Sequence, residues 1–316
     1  MLQWKGKVLK DSFGNTISGE WPNLIDSNNN KLEIDENGIL GRKIENTISY
    51  EFHQKHTKGA FLRKFEKQKY HQINWETPYY KKIFDKYLAN VDPTEKIAID
   101  FGCGDGRFTE YLLLKGFQKI VCVDFDYKLL VSLSEFAKEN SYEDNLLLIH
   151  SAIEDLQLVQ GSFDLILSIR VLYYLNEKYE EGIKLFYDLL KQGGQLITSD
   201  PDMEGFILRT MIFDSLAYSL DSFEKRRFKE VQKDTNMWFR MFDEKEIAQI
   251  FSESGFIIEE RHGISMFHNL LRVLQLRGMI SEQEIEQNEK RIISMFNYFD
   301  ENGRLFKDLV WNLRKP

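Results

Sequence analysis

The sequence has little cysteine and no long hydrophobic run. Its two cysteines, Cys103 and Cys122, both fall in apolar segments that are predicted to be core, so neither a disulfide framework nor a zinc site is expected. No stretch approaches the roughly 20 apolar residues that cross a bilayer. The first residues, MLQWKGKVLKDSF, lack the apolar run of a signal peptide. These absences predict a cytoplasmic protein with no membrane partner and no resident metal ion.

The chain also lacks a net positive charge. Its formal charge is −8, whereas proteins that bind long nucleic acids usually carry a basic field that neutralises phosphates. A nucleic-acid partner is therefore disfavoured overall. One local exception is the segment 55–71, in which six Lys or Arg residues and one acid are interleaved with aromatic side chains. That segment fits either an RNA-binding surface or an amphipathic helix with a solvated basic face, and both interpretations remain open.

From about residue 76 onward, short apolar segments alternate with amphipathic ones. This alternation is typical of βαβ units and predicts an α/β fold, a doubly wound and mostly parallel sheet with helices on both faces. The predicted strands are 96–101, 119–125, 146–151, 163–169, 194–200, 256–261 and a last one in the C-terminal segment LFKDLVWNLRKP.

Three regions interrupt this pattern. Residues 1–75 are rich in turn signals and form a predicted N-terminal extension with a β-hairpin at KLEIDENGIL and a basic helix, ahead of a core domain at 76–316. Insertions at 201–241 and 266–303 follow predicted strands and contain helical patterns. Long connections at the ligand edge of such a sheet often cover a site, so both insertions are predicted to be helical lids over an acceptor.

The chemistry-bearing motif is a glycine-rich loop between a strand and a helix. Gly102, Gly104 and Gly106 follow the strand KIAIDF, and glycine lets a backbone turn sharply and approach a ligand. The next strand ends in Asp124, where a carboxylate accepts hydrogen bonds from ribose hydroxyls. The spacing is G-x-G-x-G, unlike the G-x-G-x-x-G of dinucleotide sites, which disfavours a nicotinamide oxidoreductase.

Five segments together resemble the successive signatures of class I S-adenosylmethionine (SAM)-dependent methyltransferases. They are DFGCGDGRF, VCVDFD, SAIEDL, GSFDLILSIRVLYYL and KQGGQLITSDP. The resemblance spans about 90–262 and the C-terminal strand, and it leaves out residues 1–75 and both insertions. It implies a Rossmann-like sheet of seven strands and SAM as the cofactor.

The resemblance also implies roles for individual residues. Asp100 and the three glycines would hold the methionine portion of SAM, and Asp124 would bind the ribose. Many relatives carry an Asp early in the SAIEDL turn, where this chain has Ser151 or Ala152, so that adenine contact would fall to Glu154 or Asp155. The remaining implied cofactor residues are Phe125 against the adenine, Ala152 and Ile153 at the adenine edge, and Ser168 at a strand end.

Polar residues after later strands are the candidates for the acceptor side. Arg170 is suited to an anionic group, Tyr173 lies close by in sequence, and His262 is a candidate general base. The chain has neither the Asn/Asp-Pro-Pro-aromatic motif of amino-methylating base enzymes nor a cysteine outside the cofactor half. These features favour methyl transfer to an oxygen or nitrogen of a small molecule. The alternatives are an RNA methyltransferase that uses the basic segment and a non-catalytic cofactor-binding scaffold. Nothing in the sequence assigns an oligomeric state.

Overall fold

A computed structural model describes residues 3–11, 14–41, 71–213, 215–229 and 238–316 of the chain. Its strands form one eight-stranded sheet, in the order β11-β12-β8-β7-β4-β5-β6-β3, and two short hairpins, β1-β2 and β9-β10. The strands are Ser18–Glu20 (β1), Asn23–Ile25 (β2), Ile39–Gly41 (β3), Ile97–Phe101 (β4), Lys119–Asp124 (β5), Leu146–His150 (β6), Phe163–Ile169 (β7), Leu190–Pro201 (β8), Arg227–Lys229 (β9), Trp238–Arg240 (β10), Ile257–Ser265 (β11) and Phe306–Arg314 (β12).

Helices cover both faces of this sheet. They are Gln3–Lys7 (α1), His71–Tyr87 (α2), Arg107–Leu114 (α3), Tyr127–Glu139 (α4), Tyr179–Leu189 (α5), Met203–Phe213 (α6), Leu216–Lys225 (α7), Glu244–Glu253 (α8), Phe267–Leu276 (α9) and Glu282–Asn302 (α10), with 3₁₀ helices at Ile153–Asp155 and Leu172–Lys178. Helices α2, α3 and α4 share one apolar cluster with the sheet, and α5 and α8 share another. Within the described residues, no helix is both long and apolar enough to span a bilayer.

The centre of the sheet is parallel and its far edge is antiparallel. Five neighbouring pairs, from β3-β6 through β7-β8, run parallel, whereas β12 runs antiparallel between β8 and β11. Strands β4 and β5 are almost entirely buried, which explains their near-continuous apolar sequences. The predicted fold class, doubly wound and mostly parallel, is confirmed.

The predicted number of strands was wrong, because an eighth strand comes from the N-terminal region. β3 pairs in parallel with β6, from Ile39 opposite Leu148 to Gly41 opposite His150. The chain does turn at Asp35, whose Oδ1 accepts hydrogen bonds from the N–H groups of Asn37 and Ile39 at 2.8 and 2.9 Å. The predicted hairpin at KLEIDENGIL is present, because Ile34 bridges Leu40 in antiparallel and the Gly41 N–H donates to the carbonyl of Glu33 at 3.0 Å. Its second arm also pairs with β6 at the sheet edge.

The N-terminal region and the insertions contact the core directly. Trp4, Val8 and Leu9 belong to the apolar cluster on one sheet face, and α2 runs across the predicted domain boundary at residue 75. The basic segment 55–71 lies outside the described residues, apart from the backbone of its last residue. Insertion 201–241 contains α6, α7 and the β9-β10 hairpin, and insertion 266–303 contains α9 and α10.

Helix α2 is fixed to α3 by aromatic packing, and this contact gives a test of the fold. The ring of Phe84 is fully buried and lies 5.2 Å from Phe108 and 5.7 Å from Tyr111, measured between ring centroids. We expect Phe84→Ala to lower the free energy of unfolding by about 3–5 kcal/mol, because it removes buried apolar contacts and leaves a cavity. Urea denaturation measures this change.

The matched control is Leu114→Ala at the end of α3, where the side chain is 70% exposed. Its effect should stay within about 0.5 kcal/mol. Equal effects of the two substitutions would contradict the packing of α2 on α3.

Candidate active site

The glycine loop, residues 102–106, connects β4 to α3 in a left-handed backbone conformation. Gly102, Gly104 and Gly106 have φ angles of 68°, 56° and 90°, a region that glycine adopts without the steric cost of a Cβ. The loop lies against β5, because the N–H groups of Gly102 and Cys103 both donate to the carbonyl of Val123, at 2.8 and 3.1 Å. The left-handed backbone conformation of the loop therefore favours glycine at these three positions.

Two of these glycines face different surroundings. A Cβ added to Gly102 would lie 2.3 Å from Cγ2 of Val171, a distance that no real contact permits. A Cβ added to Gly104 would meet only Leu129, at 3.9 Å. Gly102 therefore serves close packing against the segment after β7, whereas Gly104 has room for a Cβ in ordinary contact with Leu129.

A buried carboxylate closes one side of the loop. Asp124, at the end of β5, accepts a hydrogen bond from the Gly104 N–H at 2.7 Å on Oδ2 and from the Asp126 N–H at 2.8 Å on Oδ1. Burial raises the pKa of Asp124 to about 7, although these two N–H groups oppose the shift. Asp126 in turn caps α4 by accepting from the Lys128 N–H at 3.0 Å. The position predicted for ribose recognition thus holds an acceptor that is held in place by the backbone.

Asp100 has a structural partner in the next helix. Its Oδ2 accepts a hydrogen bond from Thr109 Oγ1 at 2.6 Å, which connects β4 to α3 below the loop. Burial raises the pKa of Asp100 to about 6, against the opposing hydrogen bond from Thr109. Two buried carboxyl groups, Asp100 and Asp124, therefore lie on neighbouring strands at the loop.

The other predicted cofactor residues lie at the ends of adjacent strands. Phe125 directly follows β5 and is half-buried, and the N–H of Ser151 donates to the carbonyl of Asp124 at 3.0 Å. Ala152 is buried and Ile153 is half-buried at the 3₁₀ turn that follows β6, while the side chain of Glu154 lies outside the described residues. All nine predicted cofactor residues are thus found near the carboxyl ends of four neighbouring strands, β7, β4, β5 and β6.

Ser168 is the predicted cofactor residue on β7. It pairs with Phe101 and its side chain is fully buried. Its Oγ has no hydrogen-bond partner within the described part of the chain. A buried hydroxyl without a partner costs free energy, so this group is suited to bind a polar atom of a ligand.

Arg170 was expected to bind an anionic group of the acceptor, and the structure instead pairs it within the protein. Its Nη1 donates to both carboxylate oxygens of Asp308 in β12, at 2.8 and 3.0 Å. The Asp308 side chain is completely buried. One nitrogen of Arg170 is thus bound inside the protein, and its role toward an acceptor stays a prediction.

Tyr173 lies in an apolar group that we call the lid cluster. This cluster joins the 3₁₀ helix Leu172–Lys178 to the insertion 201–241. The ring of Tyr173 lies 5.9 Å from that of Phe228 and 5.8 Å from that of Phe239, and Phe206 lies 4.3 Å from Phe228. The buried members of the lid cluster are Tyr173, Phe206, Phe228, Phe239 and Met241.

His262 is not near the glycine loop. It lies on the edge strand β11, with Nδ1 2.8 Å from Tyr87 Oη and Nε2 3.2 Å from Lys86 Nζ. Four strand spacings, about 19 Å, separate β11 from β4. The expected role as general base is therefore not supported, because β12 inserts between β8 and β11 and moves β11 away from the site.

Asp308, which sequence reasoning did not assign, and Tyr80 complete the surroundings of the loop. Asp308 pairs with Arg170, and Tyr80 Oη donates to Asp308 Oδ2 at 3.1 Å. The available signal was an acidic residue inside the otherwise apolar strand FKDLVWNL, since a buried carboxylate needs a partner.

Comparisons with known proteins agree with this geometry. A family model described as a methyltransferase domain matches residues 99–198, which run from β4 to β8. A tRNA 5-carboxymethoxyuridine methyltransferase from Escherichia coli K12 is 23% identical over 189 residues, 60% of this chain and 70% of that protein. A tRNA U34 carboxymethyltransferase from Pseudomonas aeruginosa is 29% identical over 124 residues, 39% of this chain and 37% of that protein.

A solved structure shows the same fold. The PH0226 protein from Pyrococcus horikoshii OT3 superimposes with a TM-score of 0.52 at 14% sequence identity, covering 77% of this chain and 91% of that one. Three observations indicate SAM as the cofactor: the glycine loop, the carboxylate at the end of β5 and the matched family model. Residues 99–198 form a methyltransferase domain of the SAM-dependent kind, on the fold shared with that solved structure.

Proposed function

We propose that the enzyme transfers a methyl group from SAM to an oxygen or nitrogen of a small molecule enclosed beneath the lid cluster. The observation that carries this proposal is the burial of five apolar side chains between the 3₁₀ helix Leu172–Lys178 and the insertion 201–241. That 3₁₀ helix directly follows Val171, which contacts the glycine loop. An apolar cover next to the cofactor loop suits an enclosed acceptor better than an extended polymer.

The residues of the loop fit SAM in their chemistry. Asp124 offers carboxylate oxygens for the ribose hydroxyls, and Gly104 borders space that a larger residue would fill. The unpartnered hydroxyl of Ser168 offers a polar contact from β7. Phe125, Ala152 and Ile153 would form the adenine side. Asp100 would act on the loop through Thr109, to which it is hydrogen-bonded.

Bound SAM supplies a methyl group that its sulfonium already activates. The work of the chain is then to hold donor and acceptor in line and to exclude water from the site. The lid cluster excludes water on the acceptor side, with Tyr173 as the member nearest in sequence to the loop. Asp124 orients the cofactor through a carboxylate whose position is fixed by two backbone N–H groups.

The raised pKa of Asp124 makes cofactor affinity depend on pH. Ribose hydroxyls donate to the ionised carboxylate, and burial raises the pKa of this group in the free protein to about 7. Affinity for S-adenosylhomocysteine (SAH) should therefore fall as the pH drops below about 7, and it should level off above that value. Asp124→Asn should weaken SAH binding by about tenfold or more and remove the pH dependence centred there. Calorimetric titrations at several pH values measure both effects.

Asp126→Asn is the matched control for Asp124→Asn. Asp126 is also buried, but it caps α4, and asparagine is an equally good capping residue. This variant should keep the affinity for SAH at high pH, and its pH dependence should move only toward lower pH, because the charge of Asp126 contributes to the raised pKa of Asp124. A wild-type affinity in Asp124→Asn would contradict the ribose assignment.

The different surroundings of Gly102 and Gly104 predict different consequences of alanine substitution. Both positions have a positive φ, so each substitution carries a strain of about 1–2 kcal/mol. Gly102→Ala adds a clash with Val171 and should lower the melting temperature more than Gly104→Ala does. Gly104→Ala adds a methyl group that meets only Leu129, without a clash, on the loop proposed to hold the cofactor, and should mainly weaken SAH binding. Thermal denaturation and calorimetry separate the two effects, and an intact SAH affinity in Gly104→Ala would argue against this cradle.

A second candidate function is methylation of tRNA. It is favoured by the relative from Escherichia coli K12, which covers 60% of this chain and is named for a modified uridine of tRNA. The basic segment 55–71, the part of the chain best suited to bind RNA by composition, would be the recognition surface.

A labelling experiment distinguishes between the two acceptor classes, a small molecule and tRNA. The enzyme is incubated with methyl-labelled SAM and either a small-molecule extract or bulk tRNA. We expect label in the small-molecule fraction only, and only weak binding to tRNA. Label in tRNA, together with tRNA binding that weakens steeply with salt, would favour the second candidate.

Variants of the insertion then localise the acceptor. Phe228→Ala opens the lid cluster and should lower transfer by about tenfold or more, with SAH affinity unchanged. The control is Phe223→Ala in the same insertion, whose side chain is 50% exposed, and it should keep the wild-type rate. Loss of SAH affinity in Phe228→Ala would show that the cluster acts on the cofactor instead.

A further inference from the structure

The last strand of the sheet carries a buried charge that the methyl-transfer chemistry does not use. Asp308, in β12, receives hydrogen bonds from Arg170 and Tyr80, and Lys307 Nζ lies 3.5 Å from its Oδ2. Burial by itself raises the pKa of a carboxyl group, but the cations of Arg170 and Lys307 hold the pKa of Asp308 below its ordinary value. The interior of the protein therefore contains an ion pair whose members come from separate parts of the chain.

The contact with Arg170 reaches one side of the glycine loop. Arg170 has a φ of 60°, a left-handed conformation that is uncommon outside glycine, and its N–H donates to the carbonyl of Ser199 at 2.9 Å. This turn directs the next residue, Val171, against Gly102. The ion pair with Asp308 thus fixes the turn that forms the wall of the loop.

The contact with Tyr80 reaches the other side of the glycine loop. The fully buried ring of Tyr80 lies 5.6 Å from that of Phe108, the second residue of α3. The guanidinium carbon of Arg107, the first residue of α3, lies 4.3 Å from the Phe108 ring centroid. Tyr80 therefore packs against the helix turn into which the loop leads.

We propose that Asp308 is a positioning residue for the cofactor. Its carboxylate holds Arg170 and Tyr80, and these two side chains fix the glycine loop from its two sides, in the geometry that SAM requires. The proposal rests on the cofactor site assigned above and does not depend on which acceptor is methylated. It assigns to the C-terminal strand, which is not adjacent to β4, an effect on cofactor affinity.

The test is Asp308→Asn in the full-length chain, with SAH affinity measured by calorimetry well below the melting temperature. We expect affinity to fall by about tenfold or more, because Arg170 loses its partner and the turn before Val171 loosens. The triple variant Asp308→Leu/Arg170→Met/Lys307→Met separates positioning from stability. Replacing all charged members of a buried ion-pair group by apolar residues commonly restores stability, so its melting temperature should recover, whereas its SAH affinity should stay low. Recovery of both would overturn the proposal.

The matched control is Asp164→Asn at the opposite end of β7. Asp164 Oδ2 accepts from Lys191 Nζ at 2.7 Å and from the Ile97 N–H at 3.0 Å, away from the loop. This variant should lose stability but keep its SAH affinity within about twofold of the wild type. An equal loss of SAH affinity in both variants would overturn the proposal.

Tyr80→Phe keeps the ion pair and removes only one hydroxyl. It therefore tests the positioning role of Asp308 if Asp308→Asn does not fold. We expect about a threefold loss of SAH affinity, and an unchanged affinity would overturn the proposal. Failure of the wild type to methylate any small molecule would contradict the proposed acceptor but would leave these SAH measurements valid.

Discussion

The hydrogen bonds between the glycine loop and β5 determine how the rest of the site is organised. Backbone N–H groups of the loop are bound by Val123 and Asp124, which places the loop against the end of β5. At Gly104 the loop leaves room for a Cβ, which would touch Leu129 alone. At Gly102, by contrast, the loop is packed tightly against Val171.

The residues that pack around the glycine loop come from distant parts of the chain. Helix α2 contributes Tyr80, β12 contributes Asp308, and the turn after β7 contributes Val171. Buried charges are costly unless they are paired and hydrogen-bonded, and here the pairing joins segments more than a hundred residues apart in sequence. The same pairing engages Nη1 of Arg170, the residue expected at the acceptor side, with a carboxylate of the protein itself.

The sequence was sufficient for features that depend on local pattern. The positions of the glycine loop, the aspartate at the end of β5 and the apolar strands could be predicted. Each depends on the backbone conformation or the burial of residues that are neighbours in sequence. The sequence was insufficient where the position of a residue relative to the site depends on the order of strands in the sheet. His262 was expected just after the strand 256–261, but it lies within β11, which is at the far edge of the sheet because β12 is inserted beside β8. Arg170 and Asp308 are 138 positions apart, and no local pattern connects them.

The short strand β3 has a consequence for the behaviour of the whole molecule. Without it, β6 would be the outermost strand on that side, with its backbone N–H and C=O groups free to pair with another chain. Three residues, Ile39–Gly41, occupy that edge, and the turn at Asp35 holds them there. The N-terminal region therefore protects the sheet against intermolecular strand pairing, so its removal would promote aggregation even with the cofactor loop intact.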